Sequence, residues 1–376
     1  MKKIKLGMLG GGIGAFIGDA HRRASRICNA YTLVGGAFSS DFEKTKQFAL
    51  AEGLDLNRCY ANVDELVVCE NLRREDERME AVVIVTPNNL HYSQAKTLLE
   101  NGFHVICDKP LCMSVEQAVD LMELVKESGK IFCVTHTYTG YPMVRQMREL
   151  IAAGELGTIY RVDVQYYQGW VSPVVNGNQT GLNIWRLNPE IAGVSSCMGD
   201  IGVHGFNLLE YTTGLKVTKV LADLSTVTDS VELDLDGTVL LRFDNNVRAL
   251  VRASQVANGE ENNIRIAVYG SKASLRWEQE DPNRLFQMAD NTPEKIYRPG
   301  NGYNTAFAEA SHTMPFGHPE GIYEALANIY QGVALAIRGE ETRSGMFPTI
   351  EDGVRGMQFI ESVVASNKAG NTWVEL

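Results

Sequence analysis

The sequence predicts an α/β protein of two domains. The first is built on a parallel sheet, the second is an α/β domain on a large, mostly antiparallel open sheet. Three observations lead there. Short apolar runs alternate with helical patterns from the start of the chain to about residue 134, the spacing of right-handed βαβ units. A glycine cluster, Gly10-Gly11-Gly12-Ile13-Gly14, follows the first apolar run at once. From about residue 160 the texture changes to alternating apolar and polar residues joined by turn residues, which reads as antiparallel strands with one covered face. At 376 residues the chain exceeds what one core usually supports, and the division falls between residues 137 and 138.

Taken in order, residues 4–9 form a buried strand and the glycines open a helix that runs to about residue 28. The spacing is G-x-G-x-x-A. Gly10 makes the tight turn, Gly12 lets backbone approach a pyrophosphate, and Ala15 lets helix pack on strand. The helix N-terminus presents free N–H groups and a partial positive charge to phosphates. Residues 32–38 are the second strand, and Ser40-x-x-Glu43 is a capping box for the next helix. An acid at this strand exit would bind the ribose 2′-hydroxyl of NAD, but the chain has Ser39 and Ser40 there, with Asp41 beyond them. Lys44 could answer the 2′-phosphate of NADP. NAD is favoured because no arginine stands at the exit, and NADP is not excluded.

The charged residues 72–80 read as a solvated loop. Residues 81–85 are the third strand, followed by Thr86-Pro87-Asn88-Asn89-Leu90-His91. That turn suits a loop lying over a dinucleotide, and an ordinary turn with an asparagine cap fits it as well. Residues 103–108 are the fourth strand, Ser114 caps a helix that runs to Gly129, and residues 131–134 are a further strand. The fourth strand runs straight into Asp108-Lys109-Pro110. In an open parallel sheet the ligand crevice lies outside the carboxyl ends of the strands, so Lys109 would project where cofactor and substrate meet. Pro110 removes a backbone donor and fixes its own φ. A lone Lys-Pro pair is more often a surface turn, and what raises this one above that is the surrounding succession of strands.

In the second half, strands are expected over residues 161–167, 217–227, 237–243, 247–256, 264–269 and 274–278, and closing helices over 319–338 and 350–367. Asp200 and His204 are four apart, which on a helix sets both on one face. An imidazole can take or return a hydroxyl proton near neutral pH, and a carboxylate can orient the ring or a substrate hydroxyl. Such a pair is also a common local hydrogen bond. No third ligand with zinc spacing is present, so no metal is expected. The connection 168–194 is long and rich in Gly, Asn and Pro; loops of that length inside a domain are usually functional. It is expected to form one wall of a ligand pocket, with Trp170 and Trp185 offering flat apolar faces and Gln168 and Arg186 able to bond hydroxyls. Tyr138 and Tyr141 would approach from the other side. His318 is read as opening a helix, as a cap or as a substrate contact.

Acids outnumber bases 46 to 35, a net charge of −11 that opposes binding to nucleic acid or an anionic membrane. The seven cysteines show no paired or metal-type spacing, which fits free thiols in a reducing cytosol. The first apolar run is too short for a signal sequence, and no stretch reaches the length of a membrane span. A cytoplasmic location is expected.

Four motifs together resemble the Gfo/Idh/MocA family, the glucose-fructose oxidoreductase and inositol dehydrogenase group. They are Gly10-x-Gly12 after the first strand, Thr86-Pro87-Asn88-x-x-His91, Asp108-Lys109-Pro110 in place of that family's E-K-P, and Gly199-Asp200-Ile201-Gly202-Val203-His204, similar to D-x-G-x-H. The resemblance covers essentially the whole chain and is strongest over residues 1–215. It implies a Rossmann domain followed by a domain whose open sheet often forms an oligomer interface. The family's common acid after the second strand is missing. Where many members carry an arginine after the sixth strand, this chain reads Thr135-His136-Thr137-Tyr138-Thr139-Gly140-Tyr141-Pro142. That run and Gly14-Ala15-Phe16-Ile17-Gly18 look more like the members that oxidise glycosides and anhydrosugars than the inositol branch.

The function expected is an NAD(P)-dependent dehydrogenase acting on a secondary hydroxyl of a cyclic sugar, glycoside or cyclitol, as a homo-oligomer. Its catalytic residues would be Lys109, Asp200 and His204. Gly10, Gly12, Ile13, Ser39, Ser40, Thr86, Pro87, Asn88, His91, Asp108 and Lys109 would hold the cofactor. Lys109, Tyr138, Gln168, Trp185, Arg186, Asp200 and His204 would hold the substrate. Two alternatives stand beside it. One is glycoside cleavage by transient internal redox. The other is a regulator that binds cofactor without turnover, for which the retained lysine and histidine are unfavourable.

Overall fold

The computed structural model describes residues 2–177 and 184–376. The chain divides into two compact units, the first made of residues 1–140 and 322–354 and the second of residues 141–321 and 355–376. Where the sequence suggests a single division at 137/138, residues 322–354 return to the first unit. The reason is the helix Ile322–Ile337, whose Leu326, Ile329, Tyr330 and Val333 are buried in one cluster with Leu6, Met8, Ala20 and Ala24. A helix with an apolar stripe buries it wherever a matching face stands, and here that face is the helix Phe16–Cys28.

The first unit is a five-stranded parallel sheet of β1 (Ile4–Gly10), β2 (Tyr31–Ala37), β3 (Ala81–Val85), β4 (His104–Cys107) and β5 (Phe132–Val134), in the order β2-β1-β3-β4-β5. β3 is buried along its whole length, as expected for a strand covered on both faces. The order reverses between β1 and β3, the switch point at which open α/β sheets bind ligands. Ser114 caps its helix as expected, its hydroxyl accepting from the Gln117 N–H at 3.2 Å, and Gly129 ends that helix in the left-handed region. Ser40 does not cap the second helix. Asp41 does, its carboxylate accepting from the N–H groups of Glu43 at 3.0 Å and Lys44 at 3.4 Å, because it stands one residue before the first helical turn.

The second unit carries a nine-stranded sheet: β6 (Ile159–Tyr167), β7 (Val217–Ser225), β8 (Asp236–Phe243), β9 (Arg248–Ser254), β10 (Asn263–Gly270), β11 (Ser274–Glu278), β12 (Leu285–Met288), β13 (Lys295–Tyr297) and β14 (Val374–Glu375). The order is β13-β12-β11-β10-β6-β9-β8-β7-β14, with β6 and β9 parallel and the other pairs antiparallel. Alternation explains the covered face: Val162, Val164 and Tyr166 point inward from β6, Val239 and Leu241 from β8, Ala249 and Val251 from β9. Gly205 of the helix Val203–Thr213 meets the sheet there, since a Cβ on it would stand 3.1 Å from Val164 and 3.3 Å from Val251. His318 does not open a helix. It is exposed in the loop before Ile322, its Nδ1 3.1 Å from the Pro315 carbonyl oxygen. Among the described residues, no helix is long and apolar enough to cross a membrane.

Burial sets an acid limit on the first unit. His21 Nδ1 shares a 2.8 Å hydrogen bond with the Tyr330 hydroxyl, and burial pulls its pKa down to about 4, with Arg22 adding and the Asp108 charge opposing. Unfolded histidine protonates near pH 6.5. From there down to about pH 4 the unfolded chain binds a proton that the folded one refuses, so stability is full above pH 6.5 and declines as pH falls through that window. The thermal midpoint is therefore expected to drop between pH 7 and pH 5. In His21→Gln that drop is shallower, which scanning calorimetry at the two pH values would check; equal slopes would count against the assignment.

Candidate active site

The carboxyl ends of β1, β2 and β3 open onto a groove of about 570 Å³. Its lining includes Gly10, Gly12, Ile13, Ser39, Ser40, Thr86 and Pro87, all expected at a cofactor site, together with Lys44 and Gln94. The glycines are required by space. A Cβ on Gly10 would lie 2.8 Å from the Val85 carbonyl oxygen, and one on Gly12 would lie 2.7 Å from that of Phe38, to which the Gly12 N–H donates at 3.1 Å. Gly10 and Gly11 also hold φ of 80° and 73°, a region open to glycine. Ala15 is expected to let the helix pack on the strand; the closest approach of the helix is made by Gly18, where a Cβ would stand 2.3 Å from the Gly11 Cα. Ala15 is instead the residue that precedes the first helical turn. A bare backbone cradle opening on a helix N-terminus fits a dinucleotide's phosphates.

Asn88, His91, Asp108 and Lys109 are not in that lining. His91 is buried between two carbonyl oxygens, Pro110 at 2.9 Å from Nδ1 and Thr86 at 2.9 Å from Nε2. It ties the turn after β3 to the one after β4, and burial lowers its pKa. Asn88 is buried in the short turn Asn88–Leu90. Asp108 accepts from the Thr135 hydroxyl at 2.8 Å. Lys109, half-buried, follows at the exit of β4. Its charge and burial together push buried His136 down to about 3, burial being the larger cause. Tyr138 is buried within the first unit, in the turn Thr137–Gly140, which is held by the Asn328 amide donating to the Gly140 carbonyl at 2.9 Å.

In the second unit a different set of expected residues comes together. Asp200 lies in a π turn, Met198–Gly202, and His204 in the helix that follows, Val203–Thr213. The expectation of one regular helix face is thus corrected: a π turn adds a residue to the coil, and such turns recur at functional sites. The Arg186 Nε stands 3.5 Å from Asp200 Oδ1, and its guanidinium lies 4.4 Å over the Trp185 ring. Asp200 Oδ2 accepts from the Gln255 side-chain amide at 3.0 Å. The ring of His204 is 6.3 Å from that of Tyr166, whose hydroxyl donates to Asn262 Oδ1 at 2.8 Å, and the Gln168 amide donates to the Tyr166 hydroxyl at 3.3 Å.

One aromatic expectation is corrected. Tyr141 is fully buried against Trp277, ring centres 5.2 Å apart, so its ring has an apolar partner inside the unit. Trp170, partly buried, packs on the apolar cluster of Val171, Val174 and Leu235. Of the connection 168–194, residues 178–183 lie outside the described residues. Gln255, Tyr166, Asn262 and Asp234 were not singled out by sequence. Gln255 and Tyr166 do carry a signal, since each stands at an inward position of a period-two run. Among the described residues, no group of three or more His, Cys, Asp or Glu could hold a metal.

Residues 4–136 match the oxidoreductase family's NAD-binding Rossmann fold, and residues 144–276 match the GFO/IDH/MocA C-terminal domain. The chain belongs to the Gfo/Idh/MocA oxidoreductase family. It is 33% identical to the uncharacterized oxidoreductase YfiI of Bacillus subtilis, over 100% of this chain and 97% of the relative. Two crystal structures of an inositol dehydrogenase homolog from Azotobacter vinelandii cover 100% of this chain and 98% of theirs. One is complexed with NAD+ (34% identity, TM-score 0.94) and one with NADH and myo-inositol (32%, 0.91). Levoglucosan dehydrogenase of Pseudarthrobacter phenanthrenivorans is 24% identical over 100% of this chain and 99% of that protein. The protein is an NAD-binding oxidoreductase.

The groove makes a direct prediction. Gly12→Ala sets a methyl against the Phe38 carbonyl and is expected to weaken NADH binding by about tenfold or more. Fluorescence titration of the folded variant checks it, and wild-type affinity would refute the cradle.

Proposed function

We propose that this enzyme oxidises a secondary hydroxyl of a cyclic sugar, glycoside or cyclitol. The observation that carries the reading is the cluster in which Asp200 and His204 follow each other across a π turn, beside Arg186, the Trp185 ring and the amide of Gln168. Cyclic polyols present hydroxyls to such donors and acceptors and apolar C–H faces to such a ring. The A. vinelandii homolog crystallised with myo-inositol and the levoglucosan dehydrogenase are both named for cyclic polyhydroxy compounds.

His204 would take the hydroxyl proton. The Lys109 ammonium would hold the same oxygen and favour its developing negative charge. Asp200 would orient the imidazole and a neighbouring hydroxyl. The nicotinamide, when bound, supplies the acceptor for the hydride. Gly10, Gly12, Ile13, Ser39, Ser40, Thr86 and Pro87 would hold the dinucleotide, with Asn88, His91 and Asp108 shaping the turns beside it. The acid nearest the ribose end, Asp41, is occupied in capping its helix. The 2′-hydroxyl would therefore meet Ser39 and Ser40, and Lys44 leaves room for NADP as well.

NAD reduction with myo-inositol, levoglucosan, a methyl glucoside and sorbitol tests this. Cyclic substrates should exceed sorbitol, and NADH should rise in step with substrate loss. Lys109→Met and His204→Ala should each lower kcat/KM by about 10²-fold or more, and near-normal turnover in both would sink the mechanism. Cleavage of the glucoside without net NADH would instead indicate transient internal redox.

We further propose that a second copy of the chain covers the open face of the nine-stranded sheet. Leu221, Leu240 and Leu250 stand opposite one another across β7, β8 and β9, and Leu240 is 40% exposed. Light scattering should give a multiple of the 41.5 kDa chain, and Leu240→Arg should reduce it; a wild-type monomer at micromolar concentration would refute the proposal.

A further inference from the structure

We propose that Gln255 is a positioning residue for Asp200: it fixes the rotation of the carboxylate and favours its ionised form. The inference rests on the role given to Asp200 above. Gln255 is wholly buried, and both ends of its amide are committed. Its Oε1 accepts from the Ser196 hydroxyl at 3.0 Å, and its Nε2 donates to Asp200 Oδ2 at 3.0 Å. An ionised carboxylate only accepts, so the amide nitrogen must face it, and the serine hydroxyl then serves the amide oxygen. The flipped amide would set oxygen against carboxylate.

The frame behind this contact is itself fixed. The Gln255 N–H donates to the Leu235 carbonyl at 2.8 Å, and its own carbonyl accepts from the Val171 N–H at 3.0 Å. Ser196 is held by its N–H, 3.0 Å from Asp234 Oδ1, while Asp234 Oδ2 accepts from the Met198 N–H at 2.9 Å. Asp234 is thus clamped to the first residue of the π turn that carries Asp200. Gln255 occupies Oδ2 and Arg186 stands near Oδ1, which sets the plane of the carboxylate. Among the described residues of this unit, Asp200, Asp234 and Asp236 all act on the buried Cys197 thiol, and His204 lies four residues beyond Asp200 in the following helix. A neutral amide suits the place. A second acid would repel Asp200, and a methionine of similar length would take one buried donor away from Oδ2.

The test compares Gln255→Met, Gln255→Glu and Asp200→Asn after thermal melts show which are folded. Two readouts apply. One is the kcat/KM pH profile with whichever cyclic substrate above is turned over fastest. The other is a carboxyl ¹³C titration of aspartate-labelled protein, the Asp200 signal being the one lost in Asp200→Asn. In Gln255→Met the Asp200 midpoint and the acid limb of the profile should both move up by about one pH unit, with kcat down about tenfold. In Gln255→Glu the two carboxyls share one proton at low pH and repel when both ionise. Activity should then survive at the acid end and fall as pH rises, a limb the wild type lacks. Wild-type profiles and midpoint in both variants would overturn the inference. So would a loss that is uniform with pH and tracks the thermal midpoint, since that is what packing alone produces. If Asp200→Asn is inactive while the Gln255 variants behave as wild type, only this inference falls; if Asp200→Asn keeps full turnover, the role of Asp200 falls with it.

Discussion

The first unit depends on three backbone approaches too close for any side chain: Gly10 to the Val85 carbonyl, Gly11 to Gly18, and Gly12 to the Phe38 carbonyl. Each joins β1 or its exit to a different neighbour, namely β3, the following helix, and the chain leaving β2. Because these approaches meet where the strand order reverses, they create a groove with a bare backbone floor, which polar N–H groups and phosphates require. A methyl at any of the three would push one layer of the unit from another. Close packing transmits such a displacement, so the groove and the sheet would be disturbed together.

Much of this was legible before the structure. The glycines follow an apolar run at once and precede a helix, and each of those features is local. Gly18 was not legible as the packing glycine, because the loop bends back over the first turn of the helix and the contact depends on that path. The His21–Tyr330 hydrogen bond spans 309 residues. Periodicity shows that the helix Ile322–Ile337 has an apolar face, but nothing in a period of 3.6 says which unit will cover it. The covering face is the helix after the glycines, so a late segment completes the core beneath the first strand.

In the second unit, alternation located most of the strands because a period of two survives any arrangement of the sheet. The π turn was invisible because its hydrogen bonding is set from afar. Asp234, 38 and 36 residues beyond Ser196 and Met198, takes both of their N–H groups. Burial pushes the Asp234 carboxyl up, and those N–H donors act against the shift. Tyr141 shows the opposite failure. Its flat ring is expected to face the pocket opposite the loop 168–194, yet Trp277 offers it an apolar partner inside the core.

The inward positions of β9 run Ala249, Val251, Ala253 and then, one step past the strand, Gln255. Three apolar side chains followed by a wholly buried amide break the pattern at the strand's carboxyl end. An apolar residue at that position would cost less to bury. What the amide offers is direction, since a hydrogen bond in a dry interior is stronger and more tightly oriented than one in water. Asp234 holds Ser196 and the start of the π turn, Ser196 holds the Gln255 amide oxygen, and the amide nitrogen is thereby turned to Asp200. A core that only had to be stable would have no use for such a chain. A polar residue at an inward strand position is therefore the place where sequence alone could have pointed beyond the D-x-G-x-H motif to the residues that support it.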